Sequence, residues 1–234
     1  MKVMIRALVL CCLAGFTSMA FAERLEVFRW QANSSSPEGL VQGMMAAAKI
    51  HEKYGAAVGI YRLDVGSAGY PTFDYVLRWD SGEDWAKTKE SNFNEEWQAF
   101  WAQASQSPSG TMLMSLEGLN WNDSAKAADF ANDGPYRVYV WQPNPGKSAA
   151  VYAAFKEAAK MHAAMGAKVN IYQEGVGGTG KVHYVLTFDD WAGMADFGDK
   201  VNASQELRFL RAAFADAATP IGSVQGEPLY YTGR

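Results

Sequence analysis

Val27-Phe28-Arg29-Trp30-Gln31 returns later in the chain as Val138-Tyr139-Val140-Trp141-Gln142, a displacement of 111 residues. Asn33 and Asn144 follow at the same displacement, as do Ala48-Lys49-Ile50-His51 with Ala159-Lys160-Met161-His162 and Gly55-Ala56 with Gly166-Ala167. Tyr75-Val76-Leu77 matches Tyr184-Val185-Leu186 at 109, the second copy having lost two residues in a turn. Two copies are too few for a solenoid, whose units bury their faces only by stacking three or more deep. The pattern is that of a duplicated unit.

Working outward, the aromatic, alternating run Leu25 to Gln31 predicts a strand, and Ser36-Pro37-Glu38 supplies a helix start with proline in the first turn. Apolar residues at 40, 41, 44, 45, 47 and 48 form one broad helical stripe, and Gly55 stands where a left-handed cap belongs. Val58 to Asp64 and Thr72 to Asp80 predict two strands across a turn rich in glycine. A second helix runs from Ser81 or Asp84 to about Ser105, and Thr111 to Glu117 closes the unit as β-α-β-β-α-β. The second copy predicts a strand at 136–142, a helix at 146–165, strands at 167–176 and 181–189, one helix at about 190–217 and a last strand near 220–225. The polar segment 118–135 reads as a linker, giving units at 23–117 and 136–234. The fold class expected is α+β: two tandem ferredoxin-like units whose open sheet faces bury against each other as a pseudo-dimer within one chain.

The first 22 residues read differently. Lys2 and Arg6, an apolar run from Ala7 to Ala14 and Ala20-Phe21-Ala22 before Glu23 make a secretory signal peptide, with Ser18-Met19-Ala20 as a second cleavage site. The expected location is the periplasm or the exterior. Both cysteines, Cys11 and Cys12, lie in this leader, so the mature chain has no thiol, no disulfide and no site for covalently attached haem. No later stretch is apolar for the ~20 residues a membrane span needs, so no stable insertion is expected after cleavage. With 25 acidic against 21 basic residues, the chain lacks the cationic character of a nucleic-acid binder.

His51 and His162 are the candidate chemical residues. Both fall within the apolar stripe of their helix and should lie between helix and sheet, each bonded to a strand carbonyl or to a tyrosine such as Tyr75 or Tyr184. Ligand, general-base and purely structural roles are all open to them, the structural role being preferred. His183 takes the place of Asp74 and faces the other side of its strand. Three histidines without close spacing predict no metal site. Trp30, Tyr61, Tyr75, Trp141, Tyr172 and Tyr184 are candidates to line a ligand pocket between sheet and helices. Trp97 and Trp101, one helical turn apart, have Leu207 and Arg211 as counterparts, a loss of symmetry that suits a partner surface or core packing.

The duplicated unit, the Trp-Gln ending of the first strand and the Ala-Lys-x-His-x-x-x-Gly-Ala helix end resemble the dimeric α+β barrel superfamily, nearest to its NIPSNAP-like and uncharacterised periplasmic members. The resemblance spans about Leu25 to Gln225. It implies a barrel fold and a range of activities that includes cofactor-free monooxygenases and haem enzymes, and no catalytic motif carries over by residue. Two functions follow as expectations: a module that binds a small organic ligand or a partner, with no cofactor, or a cofactor-free or haem-dependent monooxygenase or oxidoreductase. Further oligomerisation is not readable from these residues.

Overall fold

The computed structural model describes residues 23–33, 36–67, 69 and 71–233. The signal peptide expected at 1–22 lies outside the described residues. The first half contains β1 (Arg24–Ala32), α1 (Pro37–Lys53), β2 (Ala57–Val65), β3 (Thr72–Trp79), α2 (Gly82–Ser91), α3 (Glu95–Ala104) and β4 (Gly110–Asn120). After a short 3-10 turn at Ala127–Phe130 come β5 (Tyr136–Pro143), α4 (Ser148–Ala164), β6 (Lys168–Glu174), β7 (Val182–Thr187), α5 (Trp191–Ala203), α6 (Gln205–Ala213) and β8 (Ala218–Tyr231).

The eight strands form one closed antiparallel barrel in the order β1-β3-β2-β8-β5-β7-β6-β4. Each half therefore contributes four adjacent strands, and the halves meet along two seams. The β2–β8 seam carries six register pairs, from Gly59 with Tyr231 to Val65 with Gln225. The β4–β6 seam carries three, Gly118 with Glu174, Leu119 with Gln173 and Asn120 with Tyr172. Glu117 extends this seam irregularly through backbone bonds of 2.8 Å to Val176 and Gly175.

Strand alternation sorts the core into three clusters. Leu25, Val27 and Arg29 of β1 face the barrel lumen, whereas Phe28 and Trp30 face the helices. Leu40, Met44 and Ala48 of α1 pack on Val58, Ile60, Tyr75 and Leu77 outside the first-half wall. Val151 of α4 joins Ile171, Val182, Tyr184 and Leu186 outside the second. Leu25, Tyr61, Val76, Tyr136 and Tyr172 form the lumenal cluster. A β-bulge recurs in both halves, opposite Arg29/Trp30 on β4 and opposite Val140/Trp141 on β8, leaving Leu113 and Ile221 outside the ladder.

Three expectations are corrected. The long helix predicted from 81 or 84 to 105 is two helices, because Asn94 adopts extended backbone and its side chain accepts from the Trp97 N–H, starting a new helix with Glu95 and Glu96 in its first turn. The helix predicted over 190–217 likewise divides at Ser204, which ends α5 and caps the Leu207 N–H of α6. The segment 118–135 is not a solvated linker throughout. β4 runs on to Asn120, and Ala127 and Phe130 are buried, with the Ala127 N–H donating to Asp80. Phe130 lies under the Arg78 guanidinium at 3.8 Å.

Candidate functional site

A cavity of about 560 Å³ lies between the first-half helices and the outer face of the barrel wall. Phe28, Trp30 and Tyr75 of β1 and β3 form its floor. Leu40, Gly43, Met44, Ala47 and His51 of α1 form one side, and Trp97, Phe100 and Trp101 of α3 form the other. The asparagine cap at Asn94 fixes where α3 begins and so sets those three aromatic rings over the cavity. Trp97 stacks with Trp101 at 5.9 Å and meets Phe100 edge-on at 5.3 Å.

Asn92, Ser105 and Ser109 also line the cavity, and a polar pair stands between α1 and the floor: His51 Nδ1 is 2.8 Å from the Tyr75 hydroxyl. The Trp97 ring covers the imidazole at 4.6 Å. Burial, reinforced by the positive charge of Lys89, lowers the His51 pKa to about 4, against a weaker opposing bond to the Ala47 carbonyl. Burial holds the Tyr75 phenol well above its usual value, with Glu52 adding to the effect. At neutral pH the cavity therefore presents a neutral imidazole and a neutral phenol.

The second half repeats the pair and not the cavity wall. His162 Nδ1 is 2.8 Å from the Tyr184 hydroxyl, the tyrosine of the two partners the sequence allows. Its Nε2 is buried with no hydrogen-bond partner among the described residues. Burial, then the charge of Arg211, brings its pKa to about 4. Phe197 meets the imidazole edge-on at 5.3 Å, and the Phe155 ring stands edge-on to Tyr184 at 5.2 Å and to Trp141 at 5.9 Å.

The six aromatic candidates thus separate. Trp30 and Tyr75 line the first-half cavity, and Trp141 and Tyr184 pack against Phe155. Tyr61 and Tyr172 are not between sheet and helices: they face the lumen and line a smaller cavity of about 100 Å³ there. His183 also faces the lumen, with its Nε2 at 2.8 Å from Glu174. Burial alone would push Glu174 up, yet the bond to His183 and the backbone N–H groups of Thr179 and Lys181 hold it below its usual value. Arg29 makes a two-pronged pair with Asp74 at 2.7 and 2.8 Å. Arg78 bridges Glu23 at 2.5 Å and Tyr172 at 2.8 Å, and Glu23, wholly buried, also accepts from Asn120 at 2.9 Å. Sequence reasoning missed these lumenal pairs and missed Gly43 and Met44. Among the described residues no three His, Cys, Asp or Glu side chains gather as a metal site, and no helix is long and apolar enough to cross a membrane.

No protein-family model and no curated protein matches the chain. Solved structures do. A proposed monooxygenase of Fusobacterium nucleatum is similar over 91% of this chain and 95% of its own, at 12% identity and a TM-score of 0.63. A proposed chlorite dismutase matches over 89% and 95%, at 12% identity and 0.56. A haem-binding protein of Thermus thermophilus matches over 89% and 92%, at 9% identity and 0.54. At such identity the likeness is one of fold.

The residues present do not fit a ligated haem. Among the described residues the first-half cavity is lined by no lysine or arginine to meet the two haem carboxylates, and the Trp97 ring covers the imidazole of His51 at 4.6 Å. In the second half the rings of Phe155 and Phe197 lie on the Tyr184–His162 pair, and His162 Nε2 is fully enclosed.

Proposed function

We propose that this dimeric α+β barrel protein binds one uncharged, mainly apolar organic molecule per chain in the first-half cavity, oriented by the His51–Tyr75 pair. The observation that carries the reading is the cavity itself: about 560 Å³, inside the range of small-molecule sites, walled by aromatic rings and holding one buried polar pair. Binding is favoured over catalysis because acid–base chemistry at neutral pH wants a group titrating near 7, and an imidazole at about 4 is a weak base there. The second reading, a cofactor-free monooxygenase, draws on the fold shared with the Fusobacterium protein and would use His51 as the base. The halves read as tandem ferredoxin-like units, 23–117 and 136–234, supported by the matching strand order in each. A periplasmic or exterior location and a place near the NIPSNAP-like proteins belong to the same proposal, the first resting on the leader sequence and the second on the repeat motif.

Trp30, Trp97 and Trp101 line the cavity, so ligand entry should quench tryptophan fluorescence. Titration with uncharged mono- and bicyclic aromatics should give saturable quenching at one equivalent per chain, with no oxygen uptake. Quenching accompanied by oxygen consumption that His51→Gln abolishes establishes the monooxygenase instead. No saturable binding across such a panel refutes both readings.

A further inference from the structure

Resting on the binding function above, we propose that side-chain volume at positions 43 and 44 of α1, and at their counterparts 154 and 155 of α4, decides which half of the barrel takes a ligand, and that the Phe155 ring fills in the second half the place a ligand's ring takes in the first.

The duplication supplies an internal comparison. Displaced by 111 residues, Gly43 becomes Ala154, Met44 becomes Phe155, Trp30 becomes Trp141 and His51 becomes His162, while Tyr75 becomes Tyr184 at 109. The polar pair is the same in both halves, 2.8 Å from Nδ1 to the hydroxyl. The neighbouring volume is not. A Cβ placed on Gly43 would meet no atom within 4 Å, because the residue borders the cavity, whereas Ala154 is buried. Met44 is unbranched and lies along the cavity side, leaving Trp30 and Tyr75 as open floor. At the counterpart, Phe155 projects a ring onto the equivalent floor, at 72° to Trp141 and 80° to Tyr184.

Edge-to-face contact of this kind is the arrangement aromatic rings prefer, so the floor is built to receive the edge or face of a flat ring. Phe155 thus describes the chemistry of the ligand: an uncharged aromatic ring, seated against Trp30 and Tyr75. The roof differs in step. Trp97 covers His51 from α3, whereas Leu207 stands at the corresponding place in α6 and Phe197 of α5 meets His162 instead.

The experiment exchanges the two positions and counts ligands. 2-Naphthol is titrated by calorimetry into the wild type, into the closed first half (Gly43→Ala with Met44→Phe) and into the opened second half (Ala154→Gly with Phe155→Met). Imidazole proton signals of His51 and His162 report which half responds, and Phe155→Leu serves as a milder opening should the pair of changes impair folding. The expected result is one equivalent for the wild type, affinity lowered at least about tenfold by closing the first half, and a second equivalent sensed at His162 after opening the second. Two equivalents in the wild type, undiminished binding after Gly43→Ala with Met44→Phe, or no gain in either opened variant overturns the proposal. Binding at His162 in the opened variant with none in the wild type upholds the role of position 155 and refutes the first-half binding function. No binding by any protein refutes both.

Discussion

Acid should weaken this fold at pH values where most carboxylates are still ionised. His51 and His162 are both held to about 4 in the folded state, burial being the leading cause in each, against 6.5 for an ordinary histidine. Because the folded value is depressed, the unfolded chain binds protons first as pH falls. The stabilisation is complete above 6.5 and is lost progressively between 6.5 and about 4. Each pH unit inside that window costs about 1.4 kcal/mol per histidine. Between pH 6.5 and 5 the two together account for about 3 kcal/mol, since the slope is only half developed at 6.5, and this is a sizeable part of the ~5–15 kcal/mol that holds a typical domain. Urea unfolding followed by tryptophan fluorescence at pH 7.5, 6.5, 5.5 and 5 measures the slope. His51→Gln and His162→Gln should each remove about half of it, and the double variant should be nearly flat over this range. Equal slopes for wild type and double variant would refute the reasoning, since the remaining acid sensitivity would then belong to other groups.

Glu23→Gln should destabilise the barrel by about 3–5 kcal/mol, read as a lowered denaturation midpoint, because it leaves Arg78 charged and buried without its carboxylate. Asn94→Ala removes the α3 cap and should cost about 1 kcal/mol, with a larger proportional loss of aromatic ligand binding, since α3 carries the rings over the cavity. Added hemin should give no stoichiometric histidine-ligated Soret spectrum; a spectrum abolished by His51→Gln or His162→Gln would show that one of these sites does accept haem.

Much of the fold could be read from the residues because duplication doubles every signal. A single Trp-Gln strand ending is a weak cue, but the same ending 111 residues on, with a matching histidine and glycine behind it, identifies a unit. The helical phase of His51 and His162 showed that both point at the sheet, and left a strand carbonyl or a tyrosine as the partner; the structure has the tyrosine in each half. The breaks at Asn94 and Ser204 were missed because the apolar spacing runs through them. Their signals are local: an asparagine before Glu95-Glu96, and a serine two residues before Glu206. The lumenal charges were missed for a different reason. Alternation shows that Leu25, Val27 and Arg29 share a face, but an arginine on such a face usually means solvent, and only barrel closure brings Asp74 to meet it. The cavity was legible least of all. Empty volume belongs to no residue; it is what Met44 leaves and Phe155 fills, and it appears only when the halves are set side by side.

The unequal seams make the barrel wall a cylinder with a weak line. Three regular pairs join β4 to β6 and six join β2 to β8, so the shorter zip should part first when the protein breathes. Leu119 and Gln173 amides should then exchange with solvent ahead of those along β2. Such a crack leads inward, to the ionic interior around Arg78 and Glu174, and away from the ring-lined chamber on the outer wall of the first half. Water would thus reach the lumen by a route that leaves any guest in the outer chamber undisturbed.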